Sequence, residues 1–171
     1  MSWSRYFFIF CIISITSCSG VNYSLSGINI PPDVKTVSVQ LFQNQSTLIN
    51  PLLAQVYTEK LKDKFINQTS LKVIQQDGDW QFSGAITAYD VSPVDRQAIS
   101  GGTRNKLTIS IKVTFKDIKT KVEEEKSKEF TFSRFQDFDA AASFNSIESE
   151  LIDKITDALV LDVFNETALT W

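Results

Sequence analysis

The sequence predicts an α+β domain, a two-layer sandwich in which two helices pack on one face of a mostly antiparallel sheet of about four strands. Three observations carry that prediction. Two segments repeat apolar residues at helical spacing, several others alternate apolar and polar residues with period two, and the order along the chain is strand, helix, a run of strands, helix. At 171 residues, 43% hydrophobic and 22% charged, with six Gly and four Pro, the chain has the composition of one ordinary globular domain. A domain of about 150 residues hides roughly 68–70% of its unfolded surface, so a core can form without disulfides or a structural metal.

"VKTVSVQLF" (34–42) alternates Val37, Val39 and Leu41 against Thr36, Ser38 and Gln40, which predicts a half-buried strand. Asn50 then predicts a helix cap, with Pro51 in the first helical position, where a missing amide proton costs nothing. Leu53, Tyr57, Leu61 and Phe65, with Val56 beside them, form the apolar stripe of that helix. "LKVIQQ" and "DWQFSGAITAYDV" read as strands, separated at Asp77-Gly78 by a turn or a bulge. In "KLTISIKVTFKD", Leu107, Ile109, Ile111, Val113 and Phe115 face one way while Thr108, Ser110, Lys112, Thr114 and Lys116 face the other. The charged stretch "KTKVEEEKSK" and the alternating Phe130 and Phe132 after it predict an antiparallel hairpin. Ile147, Leu151, Ile155, Leu159 and Val163 predict a long closing helix, opened by a capping-box-like Asn145 and Glu148.

Ahead of this domain, Arg5 and the ten-residue stretch "YFFIFCIISI" (6–15) read as the n- and h-regions of a signal peptide, too short to span roughly 30 Å of hydrocarbon. "Ile15-Thr16-Ser17-Cys18" resembles the lipobox of bacterial lipoproteins, which makes residues 1–17 the signal peptide and Cys18 the lipidated first residue. A diacylglycerol thioether plus an acyl chain on the amine exceeds the single-chain case that anchors only marginally. "SGVNYSLSG" (19–27) is small and polar, so residues 18–27 form a lipidated tether and 28–171 the domain. With Cys11 in the signal peptide, the processed chain keeps one cysteine and forms no internal disulfide.

The chain has no histidine, which excludes Ser-His-Asp triads, Cys-His pairs and His-based zinc sites. Its 17 Lys and Arg are scattered among 20 Asp and Glu, so no basic footprint for nucleic acid exists. No cofactor or metal site is read from it. Asp77 and Asp79 are the carboxylates to weigh for general acid and base work, though Asp-Gly at a strand junction is ordinary turn chemistry. "EEEK" (123–126) is weighed against a divalent cation and reads as a solvated hairpin tip; the 13 Phe are weighed against a lipid cavity and read as core. The connection "VSPVDRQAISGGTRNK" (91–106) carries Arg96, Arg104 and Lys106. These are candidate contacts to an anionic head group or a partner, or ordinary surface charges on a long hairpin connection.

Taken together, Tyr23-x-x-x-Gly27, Val39, Phe42 and Asn44, then Asp79, Gly84, Ile86 and Tyr89, then Glu148 and the final Trp171, make the chain similar to the LptE family of LPS-assembly lipoproteins. The resemblance implies a non-enzymatic lipoprotein of the outer membrane facing the periplasm. It implies a partner and plug for an LptD-like β-barrel, assisting lipopolysaccharide transport into the outer leaflet. A polar, uncommitted sheet face suits the hydrophilic interior of a large barrel. Two other classes remain open at this point: a lipoprotein regulating cell-wall synthesis or a secretion assembly, and a carboxylate-dependent envelope hydrolase.

Overall fold

The computed structural model describes residues 27–48, 50–94 and 103–169. In chain order these form β1 (Thr36–Val39), β2 (Gln43–Asn44), α1 (Leu53–Gln68), β3 (Lys72–Ile74), β4 (Trp80–Pro93), β5 (Arg104–Asp117), β6 (Ser127–Asp139) and α2 (Phe144–Ala168). The sheet order is β3-β1-β4-β5-β6, with β2 continuing beside β4. Both helices lie on one face, as the alternation predicts. The sheet has six strands rather than about four, and it is mixed: β4–β5 and β5–β6 are antiparallel, while β1 pairs parallel with both β3 and β4, and β2 parallel with β4. The parallel pairs arise because α1 carries the chain back over the sheet before β3, so β3 starts again at the same end as β1.

The core is the union of the predicted stripes. Leu53, Tyr57, Leu61 and Phe65 of α1, Leu151, Ile155, Leu159 and Val163 of α2, and all five inward residues of β5 are buried. Phe65, Phe82 and Phe115 stack in sequence with ring centroids 5.0 Å apart, and Trp80 meets Phe115 edge-on at 5.3 Å, so these Phe are packing residues rather than a cavity lining. The helices run parallel: Lys60 of α1 pairs with Asp153 and Asp157 of α2, and Phe65 meets Phe164 one turn further on.

Three local readings change. The alternation of the first strand slips after Val39: Leu41 is 66% exposed and Phe42 only 1%. The Phe42 amide donates to Thr58 Oγ1 of α1, which takes the chain off the ladder and splits β1 from β2. Phe42 then lies on Gly84, where a Cβ would stand 2.6 Å from its ring and 2.1 Å from the Lys112 carbonyl oxygen, so no larger residue fits. Helix α1 starts at Leu53, two residues later than predicted, yet Asn50 still caps it, since its Oδ1 accepts from the amides of Leu52 and Leu53.

The Asp77-Gly78 junction is neither a hairpin turn nor a bulge. Because β3 and β4 flank β1 on opposite sides, the chain between them crosses over β1. Asp77 adopts a left-handed φ of 56°, and a Cβ on Gly78 would sit 2.5 Å from the Ser38 nitrogen, so only glycine lets the two backbones touch. The Gly78 amide donates to Ser38 Oγ, on the face away from the helices, and this covers an otherwise outward serine.

Candidate functional site

The face of β4, β5 and β6 turned away from the helices is left open. On β5 every alternate side chain is buried against the helices, which forces Thr108, Ser110, Lys112 and Thr114 outward. Across the β5–β6 register they meet Phe135, Ser133, Thr131 and Glu129. Ser110 Oγ donates to Ser133 Oγ at 2.9 Å, and Lys112 pairs with Glu129 at 2.8 Å, which holds the Glu129 carboxyl below its usual range. The result is a plane of hydroxyls crossed by a Lys112–Glu129 ion pair. A depression of about 240 Å³ opens on it, lined by Gln45, Gly84, Ala85, Thr87, Lys112, Thr114 and Glu129.

Of the predicted cations, Arg104 opens β5 and Lys106 follows on the same face, opposite Asp139 and Asp137 respectively. The Lys106 ammonium lies 5.7 Å from the centroid of Phe135, whose ring is 62% exposed. The structure therefore brings two of the three together and sets carboxylates across from both. Arg96 lies outside the described residues, as does Cys18.

A polar node behind this face was not expected. A bulge between Ile86 and Ala88 adds Thr87 to β4, so that Ile86 and Tyr89, three residues apart, both point toward the helices. The Tyr89 hydroxyl donates to Glu148 Oε1 at 2.5 Å, and Asn50 Nδ2 donates to the same oxygen at 2.9 Å. Burial, reinforced by the Glu148 charge, raises the Tyr89 phenol above its ordinary range. Glu148 thus ties β4, the cap of α1 and the first turns of α2. The capping-box reading is corrected: α2 begins after Ser143 without a side-chain cap, so Asn145 lies inside its first turn and Glu148 is too far along to close a capping box. Beside this node a cleft of about 310 Å³ separates the two helix starts, lined by Leu52, Val56, Asn145, Glu148, Ile152 and their neighbours.

Of the carboxylates weighed for chemistry, Asp77 is exposed at its left-handed backbone position, whereas Asp79 and Glu123 have structural employment. Asp79 Oδ2 accepts from the amides of Lys35 (2.8 Å) and Thr36 (3.0 Å), and Oδ1 pairs with Lys119 at 3.1 Å. The Lys35 amide above all, with Lys119 and Thr36, lowers its pKa from 3.8 to about 2, against a smaller opposing effect of burial. A carboxyl held so low is not a proton donor near neutrality. Glu123 of the hairpin tip pairs with Lys126. No helix among the described residues is long and apolar enough to cross a membrane.

The described residues thus form a two-layer α+β module with one hydroxyl-rich open sheet face. Residues 34–167 match the model of the LptE family, described as lipopolysaccharide-assembly, and the chain belongs to that family. Comparison with curated protein sequences returns no significant match. Among solved structures the fold is similar to a protein of Xanthomonas campestris (8% identity, 84% of this chain and 91% of that one, TM-score 0.52). It is similar also to a hypothetical protein of Chlamydia trachomatis (8% identity, 77% and 96%, TM-score 0.50). The rare lipoprotein B of Shewanella oneidensis gives 10% identity over 78% and 96%, with a TM-score of 0.45.

Proposed function

We propose that this protein is an outer-membrane lipoprotein, acylated on Cys18 and facing the periplasm, that partners and plugs an LptD-like β-barrel and assists lipopolysaccharide assembly into the outer leaflet. The observation that carries the reading is the open face of β4–β6: a plane of hydroxyls crossed by the Lys112–Glu129 ion pair, beside a fully committed apolar face. Such a plane can exchange its water for the polar lining of a wide barrel without stranding a buried charge. Membership of a lipopolysaccharide-assembly family supports the same partner class. Arg104 and Lys106, together with Arg96, are the cations we assign to anionic head groups; the facing Asp137 and Asp139 keep them from acting as a general anion trap.

The test is a gentle-detergent pull-down of the full chain from its native envelope. Recovery of a stoichiometric outer-membrane barrel is the expected result, and recovery of a peptidoglycan synthase or of no barrel refutes the reading. Replacing Arg96, Arg104 and Lys106 together by Ala should weaken lipopolysaccharide binding, and unchanged binding removes that site assignment.

A further inference from the structure

The amide of Asn29 donates to the carbonyl of Ala168 at 2.9 Å, so the N-terminal segment leaves the domain beside the last turn of α2. That end also gathers the close of α1 and the β5–β6 hairpin, because the helices run parallel and both finish there. The hairpin base is held to the same end: the Ile118 amide donates to the Asp79 carbonyl at 2.8 Å, and Asp79 in turn binds the amides of Lys35 and Thr36 at the start of β1. Four large apolar side chains stand in solvent here, Ile66 at 55%, Ile118 at 56%, Val122 at 50% and Leu169 at 38% exposed. The hairpin's Lys119, Lys121 and Lys126 are matched by Glu123, Glu124 and Glu125, so its net charge is nil. Cys18 precedes Gly27 by nine residues, which reach at most about 32 Å when fully extended.

We propose that, before a barrel takes the domain up, this end rests on a phospholipid leaflet with zwitterionic head groups, with Ile118 and Val122 entering its interface beside the lipidated tether. The inference rests on the anchor reading above. A tether this short keeps the tethered end, and not the far end that carries Arg104, next to the leaflet. Apolar side chains held there move about 5–10 Å into the boundary between head groups and acyl chains because doing so removes them from water. Equal numbers of lysines and glutamates give anionic lipid no hold on the hairpin, so the contact is insensitive to salt.

The test uses the full-length protein processed in its native cells and reconstituted into phosphatidylcholine vesicles whose acyl chains carry bromine. The mass of the mature N-terminus is measured on the same sample. Val122→Trp should be quenched at least about twofold more than Leu52→Trp, which sits at the opposite end, and the ratio should hold from low to high salt. Ile118→Trp, checked by circular dichroism, serves in case Val122→Trp perturbs the hairpin. Equal quenching at both ends in vesicles holding the acylated chain overturns the proposal and leaves the anchor standing. Quenching that appears only with phosphatidylglycerol, and vanishes in salt, overturns the zwitterionic assignment. An unmodified Cys18 removes the anchor and the docking with it.

Discussion

The two faces of β5 are made by alternate residues of one strand, yet they behave as different materials. Leu107, Ile109, Ile111, Val113 and Phe115 are wholly buried, whereas Thr108, Ser110 and Thr114 between them keep contact with water. The first set is committed, because each member is wholly buried in the core and cannot shrink without opening a void. The second set contributes little to folding and is therefore free to be shaped by whatever it binds. Packing and solvent exposure have been separated by a spacing of one residue.

The sharpest way to break that contrast is Phe82→Ala, which removes the ring between Phe65 and Phe115; it should cost about 3–5 kcal/mol in urea unfolding. Glu148→Ala comes next, because it leaves the Tyr89 hydroxyl and the Asn50 amide without their acceptor; about 1–3 kcal/mol is expected, with the near-ultraviolet tyrosine signal altered. Acid should act through Asp79. Its folded pKa of about 2 lies below the ordinary 3.8, so its contribution is complete above roughly pH 4 and is lost as pH falls toward 2. Asp79→Asn should lower stability at neutral pH and flatten that part of the acid-unfolding profile. On the open face, Ser110→Ala should move stability by no more than about 0.5 kcal/mol. If it does so while weakening capture of the barrel, the division between the faces becomes functional as well as energetic.

What was legible in the sequence is what repeats. Five strictly alternating residues located both faces of β5, and the helical stripes located the layer that covers one of them. What was not legible depends on single contacts between distant residues. Nothing near Phe42 announces that its amide will bond Thr58 and turn Leu41 outward, and a crossing at Gly78 has the same letters as a turn. The Tyr89–Glu148–Asn50 node was hidden twice. An inserted Thr87 reverses the parity of β4, and Glu148 lies 98 residues from Asn50 in a position that fits a capping box locally. Of the candidate site, the cations Arg104 and Lys106 stood out by charge, but their facing carboxylates follow only from the β5–β6 register.

The passage of Gly78 across β1 has a mechanical corollary. Any tension arriving through residue 27 travels along Pro31–Lys35 into a strand gripped on both edges and strapped over its middle. Pulled lengthwise, those bonds must slide together instead of peeling one at a time, so a load entering there meets a strand held in shear on both edges.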